Sequence, residues 1–121
     1  MVVNIDKMKF EESEYHRGND VWKAETLYLF AKAKELPVLD LPLWAIDLSD
    51  SPFDTSNWYN FIYQCKRVQD ASLDYPIILD EYGKVADGRH RVCKAILAGR
   101  ETIKAIRLQE MPAPDWIDEK E

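Results

Sequence analysis

The apolar positions along the chain follow two periods, one helical and one strand-like. From residue 58 they recur as Trp58, Phe61, Ile62, Cys65 and Val68. That i, i+3, i+4, i+7, i+10 spacing draws one stripe on a helix and predicts a helix packed inward by that stripe. Thr55 or Ser56 stands ahead of it as the expected N-cap. A broader set, Val21, Trp22, Leu27, Tyr28, Leu29, Phe30, Ala31 and Ala33, predicts an earlier helix from Val21 to about Glu35. Asn19 or Asp20 would cap it, and Pro37 would stop it. Short apolar runs bounded by turn residues predict strands at 41–48 and 76–79. The turn Asp80-Glu81-Tyr82-Gly83 then returns the chain through Lys84-Val85-Ala86 as a hairpin, with Gly83 where positive φ is needed. Val92, Cys93, Ile96 and Leu97 mark the inward face of a third helix, which begins after Gly88 and ends at Gly99. Residues 102–108 complete the pattern as a last strand.

After the first helix the order is strand, helix, hairpin, helix, strand. This predicts an α+β fold, a small mixed sheet with packed helices and an N-terminal helical extension. Residues 1–18 read as polar and irregular, apart from Val2-Val3-Asn4-Ile5, which suits a short edge strand. The chain divides into an extension with one helix (1–40), a domain (41–108) and an acidic, Pro-containing tail (109–121). The tail is expected to be mobile except where Trp116 docks on the body. A chain of 121 residues that is 46% hydrophobic and 12% aromatic belongs to one folded domain and not to a disordered segment. No run approaches the roughly 18 apolar residues of a membrane helix. The opening MVVNIDKMKFEESE is too charged for a signal peptide, so a cytoplasmic location is expected. Cys65 and Cys93 fall on predicted apolar faces and are expected to be reduced core thiols. They share no zinc-ligand spacing with His16 or His90.

Charge narrows the choice of partner. The formal net charge is -6, which disfavours a sequence-independent grip on nucleic acid. Between residues 84 and 107, however, seven basic side chains stand against Asp87 and Glu101, a local +5 that leaves -11 for the remainder. An acidic protein with one basic island suits a compact anion better than a long duplex. The acidic remainder is a candidate surface for a protein partner.

Within that island lies Asp87-Gly88-Arg89-His90-Arg91. A strand ends at Val85-Ala86, the chain turns at Gly88, and a helix begins. The first turn of a helix presents unpaired N–H groups and the positive end of the macrodipole, so such a junction attracts anions. Gly88 lets backbone approach a ligand closely. Arg89 and Arg91 add fork-shaped donors that match phosphate geometry. His90 can donate, accept or titrate near neutral pH. Asp87 is the one acid of the group and is the candidate for a divalent metal or for a general base. Each also has a structural role open to it: Asp87 as a helix cap, Arg89 as a solvated charge, His90 as a satisfied core histidine, Arg91 as the partner of a neighbouring acid.

Residues 75–108, YPIILDEYGKVADGRHRVCKAILAGRETIKAIRL, resemble the ParB-like nuclease/sulfiredoxin superfamily. The shared pattern is Pro-Ile and an aliphatic strand, a hairpin, a G-x-[HR]-R box, an Ala on the following helix, a Gly, and a closing aliphatic strand. Residues 41–68 are similar to its preceding strand and helix. The resemblance implies a fold that binds a nucleoside di- or triphosphate with Mg²⁺, or a related phosphate group, over the box. Gly88, His90 and Arg91 match the box positions, with Arg89 between them as a further candidate contact. Arg89 stands where partition proteins carry an acid and sulfiredoxins their reacting cysteine, which disfavours both activities. The form D-G-x-H-R is similar to kinase-like members, which implies Asp87 as acid or metal-facing group and His90 as its catalytic companion. The expected function is therefore a nucleotide- or phosphate-binding domain with phosphate transfer or hydrolysis. The alternatives are a non-catalytic regulatory or protein-binding module and a ParB-like DNA nuclease. Should Asp87 be only a cap, Asp47, Asp50 and Asp54 are the next acids to consider.

Overall fold

Ile77, Ile78 and Leu79 are all buried, and a strand buried on both faces requires cover on both faces. In the computed structural model, which describes residues 1–6 and 13–119, the fold is arranged around that strand. The elements of the described residues are β1 (Glu14–Arg17), β2 (Asp20–Lys23), α1 (Ala24–Ala33), β3 (Leu39–Pro42), a 3-10 turn (Leu43–Ala45), α2 (Trp58–Asp70), β4 (Ile77–Leu79), β5 (Val85–Asp87), α3 (Arg89–Leu97), β6 (Thr102–Arg107) and β7 (Trp116–Ile117). Four strands form a mixed sheet in the order β3-β6-β4-β5. In it β6 runs parallel to β4 and antiparallel to β3, while β4 and β5 make the hairpin. A second sheet, β1-β2-β7, is wholly antiparallel. The fold is α+β, as the order of elements predicts.

Side chains alternate across a strand with period two, and that alternation divides the core. Ile78, Ala86, Ile106 and Leu108 join Tyr15, Trp22, Leu27 and Ala31 on one face. Ile77, Leu79, Ile103 and Ala105 join Leu43, Val92 and Ala95 on the other. β1, β2 and α1 thus share a core with the mixed sheet, and α3 covers its opposite face.

Several local expectations are corrected. Glu14–Arg17 is a strand, not irregular chain; residues 7–12 lie outside the described residues. Gly18-Asn19 makes a two-residue hairpin that pairs Tyr15 with Trp22 and His16 with Val21. Val21 and Trp22 are therefore in a strand, and the helix starts at Ala24. Its cap is not Asn19 or Asp20. The Asp115 carboxylate, from the tail, accepts from the Lys23 N–H at 2.7 Å and from the Thr26 hydroxyl at 3.0 Å. Trp22 Nε1 also donates to the Pro112 carbonyl at 2.8 Å, and Trp116–Ile117 pairs with β2, so the described tail is anchored over more than Trp116. Residues 2–5 form no strand. The strand expected over 41–48 ends at Pro42, and Leu43–Ala45 turns away.

The largest reversal concerns α2. Its N-cap is Asn57, whose side chain accepts from the Asn60 N–H at 2.8 Å, in place of Thr55 or Ser56. Its apolar stripe faces solvent: Trp58 is 85%, Phe61 54% and Ile62 43% exposed, and no residue of the helix is fully buried. The helix packs against α3 through polar links instead. Lys94 Nζ donates to the carbonyls of Gln69 and Ala71 at 2.8 and 2.7 Å. On α3 itself Val92 and Ala95 face the sheet, whereas Leu97 is 79% exposed and Cys93 only half-buried. Cys65 is exposed, so the expectation of a core thiol fails there.

One buried charge fastens the two sheets together. Asp80 is fully buried and accepts from the Tyr15 hydroxyl at 2.6 Å and from the N–H groups of Tyr82 and Lys84 at 2.9 Å each. Arg17 lies 3.7 Å from it, ion-paired with Glu81 and set over the rings of Trp22 and Tyr82. Burial, and then the bond to Asp80, raise the Tyr15 pKa well above its ordinary value, so the hydroxyl stays a donor. Asp80→Ala leaves three donors without an acceptor and should destabilise the fold by about 3 kcal/mol or more, measured by urea unfolding. Tyr15→Phe removes the one hydrogen-bond donor to Asp80 Oδ2 and should cost about 2 kcal/mol, less than Asp80→Ala.

Candidate functional site

The junction between β5 and α3 has room for nothing larger than glycine. Gly88 has φ +101°, and a Cβ built on it would lie 2.5 Å from Ile77 Cγ2 and 2.9 Å from Ile77 Cβ. This close approach seats α3 on the buried strand and sets its first turn at the surface, with no side chain capping its N–H groups. A cleft of about 790 Å³ opens there, lined by Asp87 to Arg91 and, from elsewhere in the chain, by Ser13, His16, Phe53, Lys66, Arg67 and Tyr75 among others. All five residues expected from the sequence are therefore brought to one cleft, but in different states.

Asp87 is nine-tenths buried. Its Oδ1 accepts from the Ser13 hydroxyl at 3.0 Å. Its Oδ2 meets no donor in hydrogen-bond geometry; it is ion-paired with Arg91 Nη2 at 3.6 Å, and the Tyr28 hydroxyl interacts with the same carboxylate. Arg89 is exposed and makes only long contacts, 3.3 Å each, to the carbonyls of Pro52 and Val85. Such contacts are readily exchanged for a ligand.

His90 and Arg91 are committed inside the protein. The His90 ring stacks on Phe53, with centroids 4.5 Å apart and planes within 2°, and its Nε2 meets Gln64 Oε1 at 2.6 Å. Burial first, then the charges of Arg67, Arg89 and Arg91, lower its pKa to about 4. The ring is neutral at pH 7 and donates from Nε2. Arg91 Nη1 donates to the Pro76 carbonyl at 2.7 Å and to the Tyr28 oxygen at 2.8 Å. Tyr28 in turn donates to Pro76 at 2.5 Å, and burial, followed by the charge of Asp87, pushes its pKa up to about 12. Arg91 thus ties α3 to α1 and to the start of β4.

Ser13, Tyr28, Phe53, Gln64, Lys66 and Arg67 carry no local motif and enter the site only through tertiary structure. Asp47, Asp50 and Asp54 do not line the cleft; they accept from Ser49, Ser51 and Ser56 in an exposed loop. Those bonds from Ser49 and Ser56 hold the Asp47 and Asp54 carboxyls below the usual range. Among the described residues no group of three or more His, Cys, Asp or Glu is arranged to hold a metal, and no helix is long and apolar enough to cross a membrane.

No family model, curated protein or solved structure matches this chain.

Two outcomes test the packing of the site. The folded pKa of His90 is depressed below its unfolded value near 6.5, so the unfolded chain binds more protons between about pH 4 and 6.5. Stability should be fullest above that window and fall as pH drops through it. His90→Gln should flatten this dependence in melts taken between pH 4.5 and 7.5. Arg91→Ala leaves Pro76 with the Tyr28 hydroxyl alone, removes the donor to the Tyr28 oxygen and leaves buried Asp87 without its ion-pair partner, and should lower stability by about 2–3 kcal/mol in urea unfolding.

Proposed function

We propose that the cleft beside α3 binds a nucleotide or another phosphate ligand, in line with the resemblance of residues 75–108 to ParB-like domains. The observation that carries this reading is Oδ2 of Asp87, buried without a hydrogen-bond donor in the wall of a cleft where Lys66, Arg67, Arg89 and Arg91 stand among Asp6, Glu14 and Asp70. A buried acceptor left without a donor costs about 1–3 kcal/mol. A ligand that brings a hydroxyl, or a divalent cation carried on phosphate, removes that cost. The uncapped N–H groups of α3, with Arg89 and Lys66 on the same wall, supply the complementary anion-binding half. The volume, about 790 Å³, falls in the range of small-molecule and cofactor sites.

Magnesium fits as an ion that arrives with the phosphates, because it retains several waters and needs only one or two carboxylates. Asp87 would be its protein ligand, and the ion would neutralise phosphate charge. Gly88 and Arg89 are assigned to the phosphate. Asp87 is assigned to the cation or to a reacting hydroxyl, whose proton its carboxylate can accept. Arg91 and His90 are assigned to positioning: Arg91 holds Asp87 from behind, and neutral His90 fixes the first turn of α3 against Phe53. The engagement of His90 and Arg91 by protein groups favours a second reading, a non-catalytic binding module at the same cleft.

Thermal melting with ATP, ADP, CTP and GTP, each with and without Mg²⁺, tests the reading. A ligand at 100 times its Kd adds about 2.7 kcal/mol, which moves the melt by several degrees. Arg89→Ala should weaken binding at least about tenfold with the melt of the free protein unchanged. Asp87→Asn should abolish the magnesium-dependent part of the shift, together with any nucleotide turnover. Binding without turnover in the parent protein selects the module. No shift with any nucleotide, nor with inorganic phosphate or pyrophosphate, overturns both.

A further inference from the structure

Ser13 immediately precedes β1, and its side chain reaches across to the last residue of β5. Its carbonyl accepts from the Ala24 N–H at 2.9 Å, which fixes the backbone there against the start of α1. Its hydroxyl donates to Asp87 Oδ1 at 3.0 Å, and the residue lines the same cleft as Gly88 and Arg89. Resting on the phosphate reading of that cleft, we propose that Ser13 accepts a phosphoryl group from a bound nucleoside triphosphate, with Asp87 as its general base. The chain then phosphorylates itself.

Three observations select this hydroxyl. The first is its base. A hydroxyl is a weak nucleophile until its proton is taken, and the group that takes it must stand about 2.6–3.2 Å away. The 3.0 Å bond to Asp87 meets that condition. Arg91 is ion-paired at Oδ2, which leaves Oδ1 to receive the proton. The second is access. Ser13 is half-buried, and among the described residues no group donates to its Oγ, so its lone pairs are open to an incoming phosphorus. The third is the state of the other nucleophiles. Of the other hydroxyls in the cleft wall, Ser72 accepts from the Asp74 N–H at 3.2 Å and Tyr75 is 64% exposed; neither bonds to a carboxylate among the described residues. His90 has its Nε2 taken by Gln64 and its ring against Phe53.

In the transfer, Ser13 Oγ bonds to the γ-phosphorus. The bond from that phosphorus to the β,γ-bridging oxygen breaks, and its electron pair leaves on the nucleoside diphosphate. The Ser13 proton passes to Asp87 Oδ1 and is lost to water once the diphosphate departs. The uncapped N–H groups of α3, with Arg89, supply donors for the charge on the phosphate oxygens. The phosphoserine formed carries about two negative charges and stays in the cleft, so each chain accepts one group.

The test is incubation of the full chain with ATP, CTP or GTP and Mg²⁺, followed by an acid quench and measurement of the intact mass. The expected result is a gain of one phosphoryl group per chain with at least one of the three, mapped to Ser13 by tandem mass spectrometry. A serine ester survives both acid and hydroxylamine, whereas acid removes a phosphoryl group from His90 and hydroxylamine removes one from Asp87. The rate constant should be independent of protein concentration, because donor and acceptor share one cleft. Ser13→Ala should gain nothing while nucleotide still raises its melt. Asp87→Asn should slow the gain at least about a hundredfold at saturating nucleotide. A melt raised by nucleotide with no change of mass overturns the Ser13 assignment and leaves the binding site standing. No melt shift with any of the three nucleotides overturns the inference at its premise. A phosphoryl group mapped to another residue, a rate proportional to protein concentration, or an Asp87→Asn variant modified at the parental rate each overturns it as well.

Discussion

The strand Ile77–Leu79 exposes neither face to water, and this sets the terms for every other element. A sheet buried on both sides needs two covers. One is α3 with the turn at Leu43; the other is α1 with Tyr15 and Trp22 of the β1-β2 hairpin. The β1-β2 hairpin and α1 are thus one wall of the core. Once both faces are taken, α2 has no sheet left to cover. It lies against α3 by polar contacts, and its apolar stripe is left outside.

The same strand fixes the cleft. Ile77 leaves no space for a Cβ at Gly88, so the chain passes from β5 into α3 through one left-handed residue, and Asp87 and Arg89 on either side of it in sequence both line the cleft. Arg91 then reaches back across the strand to Pro76 and Tyr28, and its guanidinium lies behind Asp87. One carboxylate oxygen is satisfied by Ser13 and the other is not. The cleft therefore pairs an uncapped helix terminus with a buried carboxylate oxygen that no donor reaches in hydrogen-bond geometry. Under the proposed function, that combination favours a phosphate ligand carrying a hydroxyl or a cation over a bare anion, which Asp87 would repel.

Asp80 shows how much of the fold rests on a charge that takes no part in the cleft. A carboxylate with two backbone donors and one hydroxyl donor can be buried because its lone pairs are answered by groups already in place. Its partners come from the β4-β5 turn and from β1, 65 positions away in sequence. Arg17, held between Trp22 and Tyr82, adds a neighbouring positive charge.

Elements defined by short-range chemistry were legible in the sequence. The β4-β5 hairpin with Gly83, the α3 start at Gly88, the stop at Gly99 and the strand ending near Leu108 follow from turn residues and alternation, which act within a few positions. So did the clustering of Asp87 to Arg91, because a strand–Gly–helix junction places consecutive residues on one rim. The Gly18-Asn19 turn carried the same kind of signal, but the apolar residues after it also fit a helix, and pairing with Tyr15 and His16 decided for a strand. The rest needed the tertiary structure, because periodicity gives the angle of a stripe and not the direction in which it points. For α2 that direction depended on whether a sheet face remained to be covered. For His90 and Arg91 the free or committed state depended on Phe53, Gln64, Tyr28 and Pro76, which the fold supplies from four separate segments. At the start of α1 no side chain caps the helix; Asp115, some ninety residues away, instead accepts from Lys23 N–H and the Thr26 hydroxyl, contacts that no local rule can register.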